Sequence, residues 1–76
     1  MNSLGVVIFH STSAALRSEK LLKGAGLTVK LVPTPREFSS DCGLALRFAW
    51  DRAEEVRSLL EAAHVDIRAI HALSSG

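Results

Sequence analysis

The sequence predicts an α+β fold in which two helices cover one face of a four-stranded antiparallel sheet. Three observations predict it. Apolar runs of strand length and amphipathic helical stretches follow one another in the order β-α-β-β-α-β. The connection over residues 33–43 carries both prolines and several polar and small residues, so the middle strands follow each other with no helix between them. The chain has 76 residues, which is room for a single domain over 1–76 with a thin core.

LGVVIF, residues 4–9, reads as a buried strand rich in branched side chains. STSAALRSEKLLKGAG opens with hydroxyl residues suited to capping a helix and closes with Gly24 and Gly26, suited to ending one. Between them Ala14, Ala15, Leu21, Leu22 and Ala25 share a face at helical spacing. LTVKLV, residues 27–32, is the second strand, with Val29 and Leu31 on one side and Lys30 on the other; Pro33 and Pro35 end it.

GLALRF, residues 43–48, alternates cleanly, with Leu44, Leu46 and Phe48 pointing one way and Ala45 and Arg47 the other. Asp51 followed by Glu54 resembles a capping box at the start of a second helix, whose apolar stripe is Val56, Leu59, Leu60 and Ala63. VDIRAIHAL, residues 65–73, is the fourth strand, and SSG is a tail. This order is the signature of the ferredoxin-like split βαβ sandwich, with strands side by side as 4-1-3-2. A βαβαββ order would need a helix within residues 33–43, which the prolines oppose.

That topology groups residues distant in sequence. The end of strand 1, the start of helix 1 and the 33–43 connection share one pole of the sheet. His10, Ser11, Thr12 and Ser13 are thereby brought towards Arg36, Ser39, Ser40, Cys42 and Gly43, and the end of helix 2 brings His64 to the same pole.

Cys42 is the only cysteine, so the fold has no internal disulfide and the thiol points to a reducing compartment or an intermolecular role. A thiolate is the reactive form, and three neighbours would favour it. These are a helix N-terminus with free N–H donors, the fixed charge of Arg36, and His10 as proton acceptor or ion partner. Ser39, Ser40 and Gly43 would add hydroxyls and a flexible backbone around a small anion. Each residue also has a plain reading: Cys42 as a small buried hydrophobe, His10 as a surface histidine, Arg36 paired with Glu37, Ser11–Ser13 as a helix cap. His64 and His71 have no partner at metal-ligand spacing. No metal and no cofactor is expected.

Nine Lys and Arg balance eight Asp and Glu, for a formal charge of +1. That balance does not suit non-specific nucleic-acid binding. No apolar run approaches the ~20 residues that cross a bilayer, and the N-terminus lacks the pattern of a secretory signal. The expected location is cytoplasmic. Lys30, Arg47 and Arg68 are expected to point away from the helices. Strand 1 is apolar on both sides, with Val6 and Ile8 on one and Val7 and Phe9 on the other. The face carrying Val7 and Phe9 is read as the open one, covered by a second copy in a sheet-to-sheet homodimer.

FHSTSAALRSEKLLKGAG followed by LVPTPREFSSDCGLALRF resembles the family described as putative Se/S carrier protein-like. The shared pattern falls on Ser11, Thr12, Ala15, Glu19 and Lys20, then on Pro33, Thr34, Pro35, Arg36, Ser39, Ser40, Cys42 and Gly43; His10 lies outside it. The resemblance implies that Cys42 holds sulfur or selenium as a persulfide or perselenide. It implies a carrier rather than a turnover enzyme, working between donor and acceptor proteins. The C-P-x-P helix entry of other sulfur-transfer proteins is absent. Two further classes remain open. One is a ligand-binding or regulatory module using Arg36, Ser39 and Ser40, with Cys42 structural; the other is an adaptor using the open sheet face.

Overall fold

The computed structural model describes residues 3–38 and 43–73. Strand β1 (Leu4–Phe9) is followed by helix α1 (Thr12–Gly24), strand β2 (Val29–Pro33), a single 3₁₀ turn (Arg36–Phe38) and strand β3 (Leu44–Ala49). A second 3₁₀ turn (Trp50–Arg52) leads into helix α2 (Ala53–Ala62), and strand β4 (Ile67–Leu73) closes the domain. The sheet runs β2-β3-β1-β4 with every neighbouring pair antiparallel, the order expected of a ferredoxin-like sandwich.

Helix α1 starts where the sequence places its cap. Ser11 is extended, and its hydroxyl accepts from the Ala14 N–H at 3.2 Å. At the other end Gly26 takes a φ of 88°, and the Leu27 N–H bonds back to the Leu22 carbonyl. This closure keeps Leu27 and Thr28 out of the second strand, which starts at Val29 rather than at residue 27.

Helix α2 departs from expectation at its start. The Trp50 N–H donates to the Ser3 carbonyl, and the Trp50 ring stacks with Phe48 at a centroid distance of 6.0 Å. Gly5 makes room for both rings: a Cβ there would lie 2.5 Å from Trp50 Cε3 and 2.7 Å from Phe48 Cζ. Anchored this way, the chain tightens into the Trp50–Arg52 turn. Asp51 therefore sits inside that turn, and the helix begins at Ala53 with no side-chain cap. Its last turn is tied to α1 by Arg17, whose guanidinium donates to the Ala63 carbonyl at 3.2 Å.

The core has two parts, one on each side of the sheet. On the helix side Val7, Phe9, Val29, Leu46 and Phe48 pack against Ala15, Leu22, Val56 and Leu60, all of them buried. On the other side Val6, Ile8 and Ala45 are also buried, with Val32, Phe38 and Leu73 packed against them. The expected facing of strand 1 is thus reversed. Register decides it, because Val7 pairs with Leu46 and Val6 with Arg47, and directly opposed residues in an antiparallel pair share a face. Val7 and Phe9 face the helices, and Val6 and Ile8 lie on the face that the helices leave open.

That face has a cover of its own. Phe38, on the turn after edge strand β2, stacks on His71 of the opposite edge strand β4, with centroids 4.3 Å apart and planes 2° from parallel. The segment leaving β2 therefore passes over β3 and β1, about 14 Å of sheet at ordinary strand spacing. We call it the strap. With Phe38, Val32 and Leu73 packed against them, Val6, Ile8 and Ala45 are buried within one copy of the chain, which removes the reason for expecting a second copy on this face.

Candidate functional site

The strands bring the chain ends that flank the candidate residues to one pole. Strands β1 and β2 both end there and β3 begins there, since Pro33 pairs with Leu44 and Ile8 with Ala45. The Thr34 N–H donates to the Gly43 carbonyl at 3.0 Å, which closes the base of the connection between β2 and β3. His10 and Ser11 leave β1 at the same pole and are exposed, as is Thr12 at the first turn of α1. Helix α2 also ends there and β4 begins there, because Ile67 pairs with Phe9. His64 lies in that crossover with a φ of 56°, its N–H donating to the Glu61 carbonyl.

Within the connection, Pro35 accepts from the Phe38 N–H at 3.0 Å, which shapes the turn that carries Arg36 and Glu37 outward. Both are exposed, and among the described residues Arg36 has no ion-pair partner, so the expected pairing with Glu37 does not form. Gly43 is exposed, with open space where a Cβ would stand. Ser39, Ser40 and Cys42 lie outside the described residues. Cys42 is one peptide bond from Gly43 and four residues from Phe38, so both flanks of the thiol segment are placed: Gly43 at the clamp with Thr34, and Phe38 in its stack on His71 over the open face.

The hydroxyls of the helix entrance have different standing. Ser11 is committed to the Ala14 N–H as the cap, which leaves its side chain one remaining donor. Among the described residues no group of three or more His, Cys, Asp or Glu side chains could hold a metal ion.

Phe38 and His71 are the structural residues that the sequence reading did not assign to the site. A signal for Phe38 exists in hindsight: it is the lone aromatic in an otherwise polar and turn-forming stretch, PTPREFSSDCG. His71 gives no local sign, because a half-buried histidine in an alternating strand looks like any other.

A cavity of about 530 Å³ opens at the opposite pole. Its walls include Leu4, Leu27, Phe48, Trp50 and Val56, with Thr28 and Asp51 among its polar groups. The ligand-binding alternative placed its ligand at Arg36, Ser39 and Ser40, so this cavity lies away from the residues it named.

No helix among the described residues is long and apolar enough to cross a membrane. No solved structure matches the chain. Among curated proteins, the chain is similar to the uncharacterized protein YtiA of Escherichia coli (strain K12), 32% identical over 50 residues. That match covers 66% of this chain and 59% of the relative, so the chain spans about three fifths of the length of the curated protein it matches. The family model described as putative Se/S carrier protein-like matches residues 4–72, from the first residue of β1 almost to the end of β4, and the chain belongs to that family.

Proposed function

We propose that the protein carries sulfur or selenium on Cys42 as a persulfide or perselenide. The observation that carries this reading is the family match over nearly the whole domain, in a chain with one thiol. One feature of the geometry supports it: the Gly43 flank of the thiol segment is clamped to Thr34 at the pole where β1 ends, His10 is exposed and α1 begins, and Arg36 is exposed in the same connection. A helix N-terminus and a guanidinium both favour an anion over its neutral form, so this pole suits a thiolate or a terminal persulfide. His10 serves as the proton acceptor, and Ser39, Ser40, Thr12 and the Gly43 backbone supply donors.

Loading is an exchange with no net redox change. The Cys42 thiolate attacks the terminal sulfur of a donor persulfide; a new S–S bond forms to Cys42, and the donor's own sulfur leaves as its thiolate. Delivery repeats the step in reverse sense, with an acceptor nucleophile attacking the terminal sulfur and Cys42 leaving as thiolate. Donor and acceptor proteins are the partners, the role is stoichiometric, and a reducing, cytoplasmic setting keeps the thiol free.

The test is mass spectrometry of the intact protein after incubation with a low-molecular-weight persulfide donor. Wild type should gain about 32 Da, the mass of one sulfur, and Cys42→Ser should not. Equal gain in both proteins, or none in either, overturns the reading.

The cavity beside Trp50 favours one second reading, a small-ligand-binding module in which Cys42 has no chemical part. Ligands that shift the fluorescence of Trp50, the only tryptophan, equally in wild type and Cys42→Ser would support it.

A further inference from the structure

The sheet has two edges, and they are built differently. Edge strand β2 is five residues long, carries Lys30 and ends in Pro33, which has no N–H to offer a further strand. A lysine and a proline are the ordinary guards of an exposed strand edge. Edge strand β4 is seven residues long, and Arg68 is its one side chain with a fixed charge. The register between β1 and β4 shifts where Ile8 gives way to Phe9: Ala69 pairs with Ile8 and Ile67 with Phe9, leaving Arg68 as the extra residue. From Ala69 to Leu73 the ladder is regular, and among the described residues it is paired on the β1 side alone. Those five residues hold neither proline nor lysine nor an acidic group.

From this asymmetry we infer that β4 is an interaction surface whose occupant is the β4 of a second copy, the two strands pairing antiparallel about a two-fold axis into one eight-stranded sheet. Self-pairing centred on His71 places Ala69 opposite Leu73 of the other copy and Ile70 opposite Ala72. Every paired position then meets an uncharged or histidine side chain, and Arg68 falls outside the paired run, so no two arginines are opposed. The alternative use of the same edge, β4 against β2 of another copy, would be head-to-tail and would not close. The guards on β2 act against it, whereas β4 with β4 closes after two copies. A formal charge of +1 per chain adds little repulsion to the pairing.

The experiment is sedimentation analysis of the full chain from about 5 to 200 µM, under reducing conditions so that Cys42 cannot cross-link copies. Wild type should show a monomer–dimer equilibrium. Ala72 is exposed, so Ala72→Lys leaves the monomer folded, as circular dichroism will report, while setting a charge into the paired run; it should weaken the dimer about tenfold or more. Ala72→Val, a better strand former, should retain the dimer. A monomer at every concentration, a dimer untouched by Ala72→Lys, or one lost equally in Ala72→Val overturns the inference. Each outcome is independent of whether Cys42 carries sulfur.

Discussion

Phe38→Ala tests the feature that most distinguishes this sheet. Truncating a fully buried phenylalanine costs about 3–5 kcal/mol, through lost burial and the space left behind. Phe38 is half-buried, which brings the expectation to about 2 kcal/mol, of which about 1 belongs to the parallel stack on His71. In a domain of this size each kcal/mol moves the melting temperature by about 4–8 °C, so a fall of about 8–16 °C is expected. Chemical denaturation monitored at Trp50 gives the free energy. A hydrophobic dye reports the uncovering of Val6, Ile8 and Ala45, which the ring packs against. The cycle with His71→Ala should return a coupling of about 0.5–1.5 kcal/mol. A loss below about 0.5 kcal/mol in Phe38→Ala would refute the placement of the strap on the sheet. A normal loss with no coupling would leave the burial standing and refute the stack.

Two substitutions probe the rest of the core. Gly5→Ala should destabilise by about 1–3 kcal/mol, because its Cβ would enter the space that the Trp50 and Phe48 rings occupy; near-neutral denaturation would show that both rings can retreat. Ser18 is fully buried on α1, and its hydroxyl has no hydrogen-bond partner among the described residues, so Ser18→Ala should stabilise by about 1 kcal/mol, and a loss of stability would contradict that account.

Element types were legible wherever one period dominated. The stripe Val56, Leu59, Leu60 and Ala63 and the alternation Leu44, Leu46, Phe48 left no second choice, and the polar 33–43 connection excluded the competing topology. Strand β1 was different. Four apolar residues in a row, Val6 to Phe9, carry no phase, so which pair meets the helices is set by pairing with Leu46 and Arg47 on another strand. The capping box expected from Asp51 and Glu54 does not form, because Trp50, seated against Ser3 and Gly5, leads into a turn that contains Asp51. That His10, Ser11, Thr34 and Gly43 share one pole follows from element order alone. The Phe38–His71 contact could not follow from it, because nothing in a period reports which loop folds back over a sheet.

The strap also divides how this chain opens. One backbone, that of β1, is shared by two apolar groups held in unlike ways: the helix-side group by two long regular elements, the other by Phe38 on a three-residue turn together with Val32 and Leu73 of the edge strands. Segments secured by few buried contacts are the first to open locally, at a free energy below that of global unfolding. Lifting the ring would bare a small apolar patch beside the clamp that ends one residue from Cys42, while the helices stay docked and the sheet stays paired. Loss of this one contact is thus expected to uncover Val6, Ile8 and Ala45 at a free energy below that of global unfolding.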